Sequence, residues 1–114
     1  MADKNRNIEI NVGTITIPTS DTVTKGTVQA ALNGQASLVT FSTPDMQATN
    51  STLLEVVVPK SPAGTVFSSG TKAESSSFSI GSSFPLYGNV NIVATAEGTQ
   101  AAAKAITYTI YYET

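Results

Sequence analysis

The sequence predicts an all-β fold: a single-domain β-sandwich or jelly-roll-like barrel of about eight short antiparallel strands. Three observations predict it. Val, Ile, Thr and aromatic residues fall into short runs that alternate with polar residues, the period-two signal of a half-buried strand. Turn residues punctuate those runs at short intervals. And 114 residues suit one domain with a core of its own.

Residues 1–7, Met-Ala-Asp-Lys-Asn-Arg-Asn, form a polar arm, either a frayed end or a segment that orders on a partner. Ile8, Ile10 and Val12 alternate with Glu9 and Asn11, and Ile15 and Ile17 alternate with Thr14 and Thr16. The step from Val12 to Ile15 is odd. It predicts a bulge or bend at Gly13 between two short strands. Thr19-Ser20-Asp21 is turn chemistry. Residues 27–32 and 35–42 flank Asn33-Gly34, a strong hairpin signal, and are expected to pair across it. Residues 27–32 also carry the Ala and Gln of a short helix.

Leu53 to Val58 is an apolar block ended by Pro59, which suits a strand buried on both faces. Glu55 inside it is expected at an outward pleat position beside a basic side chain. Thr65-Val66-Phe67 is a short strand. Residues 68–83 are rich in Ser and Gly and read as a long flexible loop, with a strand hidden at Phe78 and Ile80. Residues 97–104 are a second short helix candidate. Ile106, Tyr108, Ile110 and Tyr112 alternate with Thr107, Thr109 and Tyr111 in the cleanest strand of the chain. Strands near 89–96 and 105–113 are expected to form an antiparallel hairpin.

Composition narrows function. The chain has no His, Cys or Trp. The commonest general base and the thiolate nucleophile and metal ligand are therefore missing. Ser69 and Lys72 have only the spacing of a Ser-Lys pair, without supporting motifs. The acids lie singly along the chain, with no run that would ligate calcium. No cofactor and no catalytic residue is expected. Six Lys and Arg are scattered and the net charge is −2, which argues against nucleic acid and against a basic membrane-binding face. The polar start has no apolar stretch behind it and predicts no ordinary signal peptide. Asn50-Ser51-Thr52 fits a glycosylation acceptor, a match that means little without secretion.

What remains is surface. Low charge with abundant Thr, Ser, Asn and Gln suits contacts made by hydroxyl and main-chain hydrogen bonds, and a β-domain offers edges for strand addition. The opening Met1-Ala2-Asp3-Lys4, the Thr- and Ser-rich strands, the missing Cys and His, and the ending Ala105-Ile106-Thr107-Tyr108-Thr109-Ile110-Tyr111-Tyr112 together resemble small virion proteins of tailed bacteriophages. They look most like the capsid decoration, or cement, proteins. The resemblance is one of whole-chain character and transfers no residue. It implies a non-enzymatic role on the outer capsid surface of the virion. The implied partners are the major capsid protein and further copies of the chain, as a homodimer or homotrimer. The alternative is a carbohydrate- or ligand-binding β-sandwich of a phage tail or adhesin, weakened by the lack of Trp. Interface candidates are Asn5, Arg6 and Asn7 of the arm, and Tyr111, which alternation places on the face opposite Ile106 and Ile110.

Overall fold

The computed structural model describes residues 7–62 and 64–114. It is all-β and antiparallel. Six strands form one hydrogen-bonded sheet: β1 (Ile8–Ile17), β2 (Lys25–Ser42), β3 (Thr52–Val57), β4 (Thr65–Lys72), β5 (Ser77–Ala96) and β6 (Lys104–Glu113). Their order is β1-β6-β2-β5-β3-β4. One short 3-10 turn, Gln47–Thr49, joins β2 to β3.

Two of these strands are long. A straight strand of 20 residues, the length of β5, spans about 65 Å at ~3.3 Å per residue. The longest dimension of the molecule is 52 Å, so β5 bends. It pairs with β2 from Lys25↔Thr95 to Ser42↔Ser77. The first half of β2 and the second half of β5 continue into β3 and β4. The second half of β2 continues into β6 and β1. The ladder thus passes from one layer into another, and the sheet folds over on itself. Strand β1 contacts β2 and β5 across the fold, although neither is its ladder partner.

The bend sits at Gly34, whose φ is 137°, and Gly88, whose φ is 72°. These positive angles suit glycine. A Cβ on Gly34 would lie 2.0 Å from the Glu113 carbonyl oxygen. Asn33 secures the bend, its Oδ1 accepting the Gly88 N–H at 2.9 Å. Asn33-Gly34 is therefore no hairpin turn. It is the hinge of a continuous strand, and neither segment beside it is helical.

Other expectations change for similar reasons. Strand β1 pairs with β6 residue by residue from Ile8↔Glu113 to Ile17↔Lys104, with no bulge at Gly13. The odd step arises because Ile15 and Ile17 face the core while Ile8, Ile10 and Val12 face outward. Gly13 is small because the Tyr108 ring covers it: a Cβ there would lie 2.6 Å from the Tyr108 hydroxyl. Strands β5 and β6 do not pair, since β2 lies between them. Residues 97–103 form a non-helical connection. The Ser/Gly-rich loop near 68–83 is mostly strand: the end of β4, a turn at residues 73–76 and the start of β5.

The core lies between the layers. It gathers Ile15, Ile17, Val39, Phe41, Leu54, Val56, Val90, Ile92, Ile106 and Ile110, with Phe67 and Phe84 in tilted contact at 5.4 Å. Each such aliphatic side chain contributes about 1.5–3 kcal/mol. Strand β3 alternates buried and half-buried residues, so one face meets the core and the other is only half-covered, not buried on both faces as expected. Glu55 sits at an outward position whose cross-strand neighbours are Ser68 and Val93, neither of them basic. The β3–β4 ladder shifts between Leu53 and Glu55, and there Ser69 Oγ accepts the Leu54 N–H at 3.0 Å.

Fully buried Gln100 ties the loops at one end. Its Oε1 accepts the Gln47 N–H at 2.8 Å, and its Nε2 donates to Asn50 Oδ1 at 3.1 Å and to the Gly98 carbonyl at 2.9 Å. Thr52 is the counter-case: its buried Oγ1 has no hydrogen-bond partner among the described residues.

Two outcomes test this account. Gly34→Ala lowers the unfolding free energy by about 3 kcal/mol through backbone strain and collision. Gly81→Ala, where the nearest atom is 4.0 Å away, changes it by less than about 1 kcal/mol; urea titration compares them. Thr52→Val removes an unsatisfied hydroxyl at nearly constant volume and raises stability by about 1 kcal/mol; a fall in the urea midpoint would contradict it.

Candidate functional site

Three strands carry the same local pattern, an aromatic residue between two hydroxyl residues: Thr40-Phe41-Ser42 in β2, Ser77-Phe78-Ser79 in β5 and Thr107-Tyr108-Thr109 in β6. The register aligns them. Phe41 is opposite both Phe78 and Tyr108. Directly opposed residues point to the same face and neighbours along a strand to opposite faces. The three aromatics therefore form one inward row, with Phe41 and Phe78 in tilted contact at 5.2 Å. Their six hydroxyl neighbours form two outward rows.

One row runs Thr109, Thr40, Ser79, and the other runs Thr107, Ser42, Ser77. Strand β1 extends them with Val12 and Thr14. Adjacent strands lie about 4.8 Å apart and alternate residues about 6.7 Å apart, so the hydroxyls form a near-regular array. The face is hollow there: a groove of about 400 Å³ is lined by these six residues and Val12, with Phe41, Phe78 and Tyr108 between them along the strands. Among the described residues, no charged one lines it. Ser42 and Ser77 share a hydrogen bond at 2.9 Å. The hydroxyls of Thr40, Ser79, Thr107 and Thr109 have no protein partner among the described residues and are free to donate and accept.

The next row on this outer face is apolar: Ile10, Tyr111 and Leu38 lie side by side. Tyr111 is thus on the expected face, yet half-buried between its two neighbours rather than standing among threonines. Asn7 is exposed, and its carbonyl accepts the Thr114 N–H at 2.9 Å. Asn5 and Arg6 lie outside the described residues. Neither Asn7 nor Tyr111 lines the groove. The signal that marks it in the sequence is the repeated hydroxyl-aromatic-hydroxyl triplet.

Several other polar groups hold backbone or rings in place. Ser69 Oγ accepts the Leu54 N–H and donates to the Gly70 carbonyl at 2.6 Å, while Lys72 Nζ lies 5.6 Å from the centre of the Phe78 ring. Glu74 and Glu97 accept the backbone N–H groups of Met46 and Ser51 at 2.7 and 3.0 Å. Among the described residues no three His, Cys, Asp or Glu side chains come together as a metal site. No helix there is long and apolar enough to cross a membrane. A smaller hollow of about 250 Å³ on the other layer is lined by Ser51, Leu53, Thr71, Thr95, Ala96 and Glu97.

Tyr108 links the groove to the core. Its hydroxyl donates to Asn11 Oδ1 at 3.1 Å, and burial raises its pKa above the ordinary 10.0.

No protein-family model matches the chain, and no curated protein does. Among solved structures, a chain described as "CBM4 structure and function" aligns with 83% of this chain and 77% of its own length, at 14% identity and a TM-score of 0.47. A likeness at that level transfers no ligand.

The raised Tyr108 pKa has a defined sign. A phenol whose folded pKa exceeds its unfolded value favours the neutral form in the fold. Its contribution is complete below about pH 10 and is lost as pH rises through the folded pKa. Tyr108→Phe therefore costs about 1 kcal/mol at pH 7 and flattens the loss of stability above about pH 10; an unchanged alkaline slope would refute the assignment.

Proposed function

We propose that this chain is a non-catalytic binding domain whose working surface is the outer face of β1, β6, β2 and β5, and that its groove takes a neutral polyhydroxylated ligand, a saccharide segment. The two rows of hydroxyls carry this reading. Each free hydroxyl donates and accepts, which matches the hydroxyls of a sugar, and the uncharged lining favours a neutral ligand. The groove's volume suits one or two sugar rings. Tyr111 and Leu38, one row along the same face, offer an apolar surface for the carbon-bound hydrogens of a ring. This arrangement stands in place of the exposed Trp that sugar sites often use.

A second reading is favoured by a different observation. Ile8, Ile10 and Val12 on the same face are 71%, 57% and 69% exposed. Exposed large apolar residues grouped on an edge strand support a protein partner. In that reading the domain is a structural virion subunit that decorates and braces a phage capsid through the major capsid protein.

A panel of neutral glucan, xylan and mannan oligosaccharides, screened on an array and followed by calorimetry, tests the first reading. At least one class is expected to bind, with Thr40→Val plus Thr109→Val weakening it by about tenfold or more at unchanged melting temperature. Absence of binding to every member, with co-sedimentation on expanded phage heads instead, would replace the first reading by the second.

A further inference from the structure

Strand β1 is an edge of the sheet, and its outer edge has no ladder partner among the described residues. The two ends of that edge differ. Near its end the start of β2 lies against it: a Cβ on Gly26 would lie 2.2 Å from the Thr16 carbonyl oxygen. The uncovered part is Ile8 to Val12, the stretch with three exposed apolar side chains. Its residues are Ile-Glu-Ile-Asn-Val, which read almost alike in both directions about Ile10.

We infer that β1 pairs antiparallel with β1 of a second copy of this chain, about a two-fold axis at Ile10, joining two six-stranded sheets into one. A two-fold axis perpendicular to the sheet keeps each outer face outward, so only registers that oppose residues of one face are open. Centred on Ile10, the pairs are Ile8 with Val12 of the second copy, Ile10 with Ile10, and Val12 with Ile8. All six apolar side chains then meet as cross-strand neighbours. Centred on Asn11 or Val12, Ile8 would instead face Thr14 or Thr16. On the other face the Ile10 register sets Glu9 opposite Asn11 of the second copy. Asn11 Oδ1 already accepts from Tyr108, and its amide nitrogen is left to donate to the Glu9 carboxylate. Like charges are not opposed anywhere in these five pairs.

The same pairing covers a long apolar edge of the kind that folded proteins shield. It also places the two grooves on one continuous outer face, about the axis. The inference does not rest on what the grooves bind: a dimer that retains no glycan, or a monomer that does, tells the two apart.

Because the chain has no cysteine, a single introduced one reports the register directly. Under mild oxidation Ile10→Cys is expected to cross-link to a covalent dimer. Ile8→Cys alone should form no covalent dimer, and an equimolar mixture of Ile8→Cys and Val12→Cys should cross-link. In a second arm, Ile10→Lys and Ile10→Glu each weaken self-association by at least about tenfold, and mixing them restores it, because residue 10 faces itself. Circular dichroism confirms that each variant is folded, and the cysteine arm decides the matter if either charged variant is not. A folded parent chain that sediments as a monomer at about 100 µM would overturn the inference, since a dimer of ~10 µM affinity would be largely formed there. Cross-linking of Ile8→Cys as efficient as that of Ile10→Cys would overturn the register.

Discussion

The paired strands β2 and β5 are the constraint on which the rest of the molecule depends. Seventeen residue pairs hold them together, and both neighbours of the pair, β6 and β3, are added to its edges. Because the ladder bends at Gly34 and Gly88, its two halves belong to different layers, and the core is the space between them. Bulges set the phase. The β2 register shifts between Ala36 and Leu38, after which Val39 and Phe41 face inward where Leu32 and Ala36 did before. Ser37 marks that shift, its hydroxyl donating to the Tyr111 carbonyl at 3.4 Å. Without the shift, the three aromatics would not share a row and the hydroxyls would not line a groove.

This dependence explains what was legible in advance. Alternation correctly assigned Ile106, Tyr108 and Ile110 to one face, and Tyr111 to the other, because period two is a property of the strand itself. The all-β, antiparallel class followed from the same local signal. Pairing partners did not, because they depend on tertiary context. Asn33-Gly34 has the chemistry of a tight turn, and the same freedom of φ serves a bend in an unbroken strand. The Ser/Gly-rich stretch looked like a loop because its inward residues, Ser69, Phe78 and Ile80, are sparse and spread over two strands. The odd step at Gly13 was visible. Its cause, a tyrosine ring lying over the glycine from the far end of the chain, was not.

The candidate site was the least legible part. Its residues are small, uncharged and common, and no single one suggests chemistry. They act as a set because three strands remote in sequence present the same triplet at the same level of the sheet. The groove and the exposed stripe of β1 share one face, so a ligand in the first and a protein against the second would meet at Val12, which belongs to both.

The pairing of β1 with β6 also orders events in time. β1 is synthesised well before its ladder partner β6, which lies some ninety residues further along the chain. Until β6 emerges, Ile15 and Ile17 have no sheet to join, and the outward Ile8, Ile10 and Val12 extend the same apolar strand. Such long-range closure is slow, because the entropy of bringing distant segments together is lost before any contact rewards it. The nascent chain therefore carries a sticky segment through most of its synthesis, and the rate at which β6 docks sets how long neighbouring ribosomes' products can capture it.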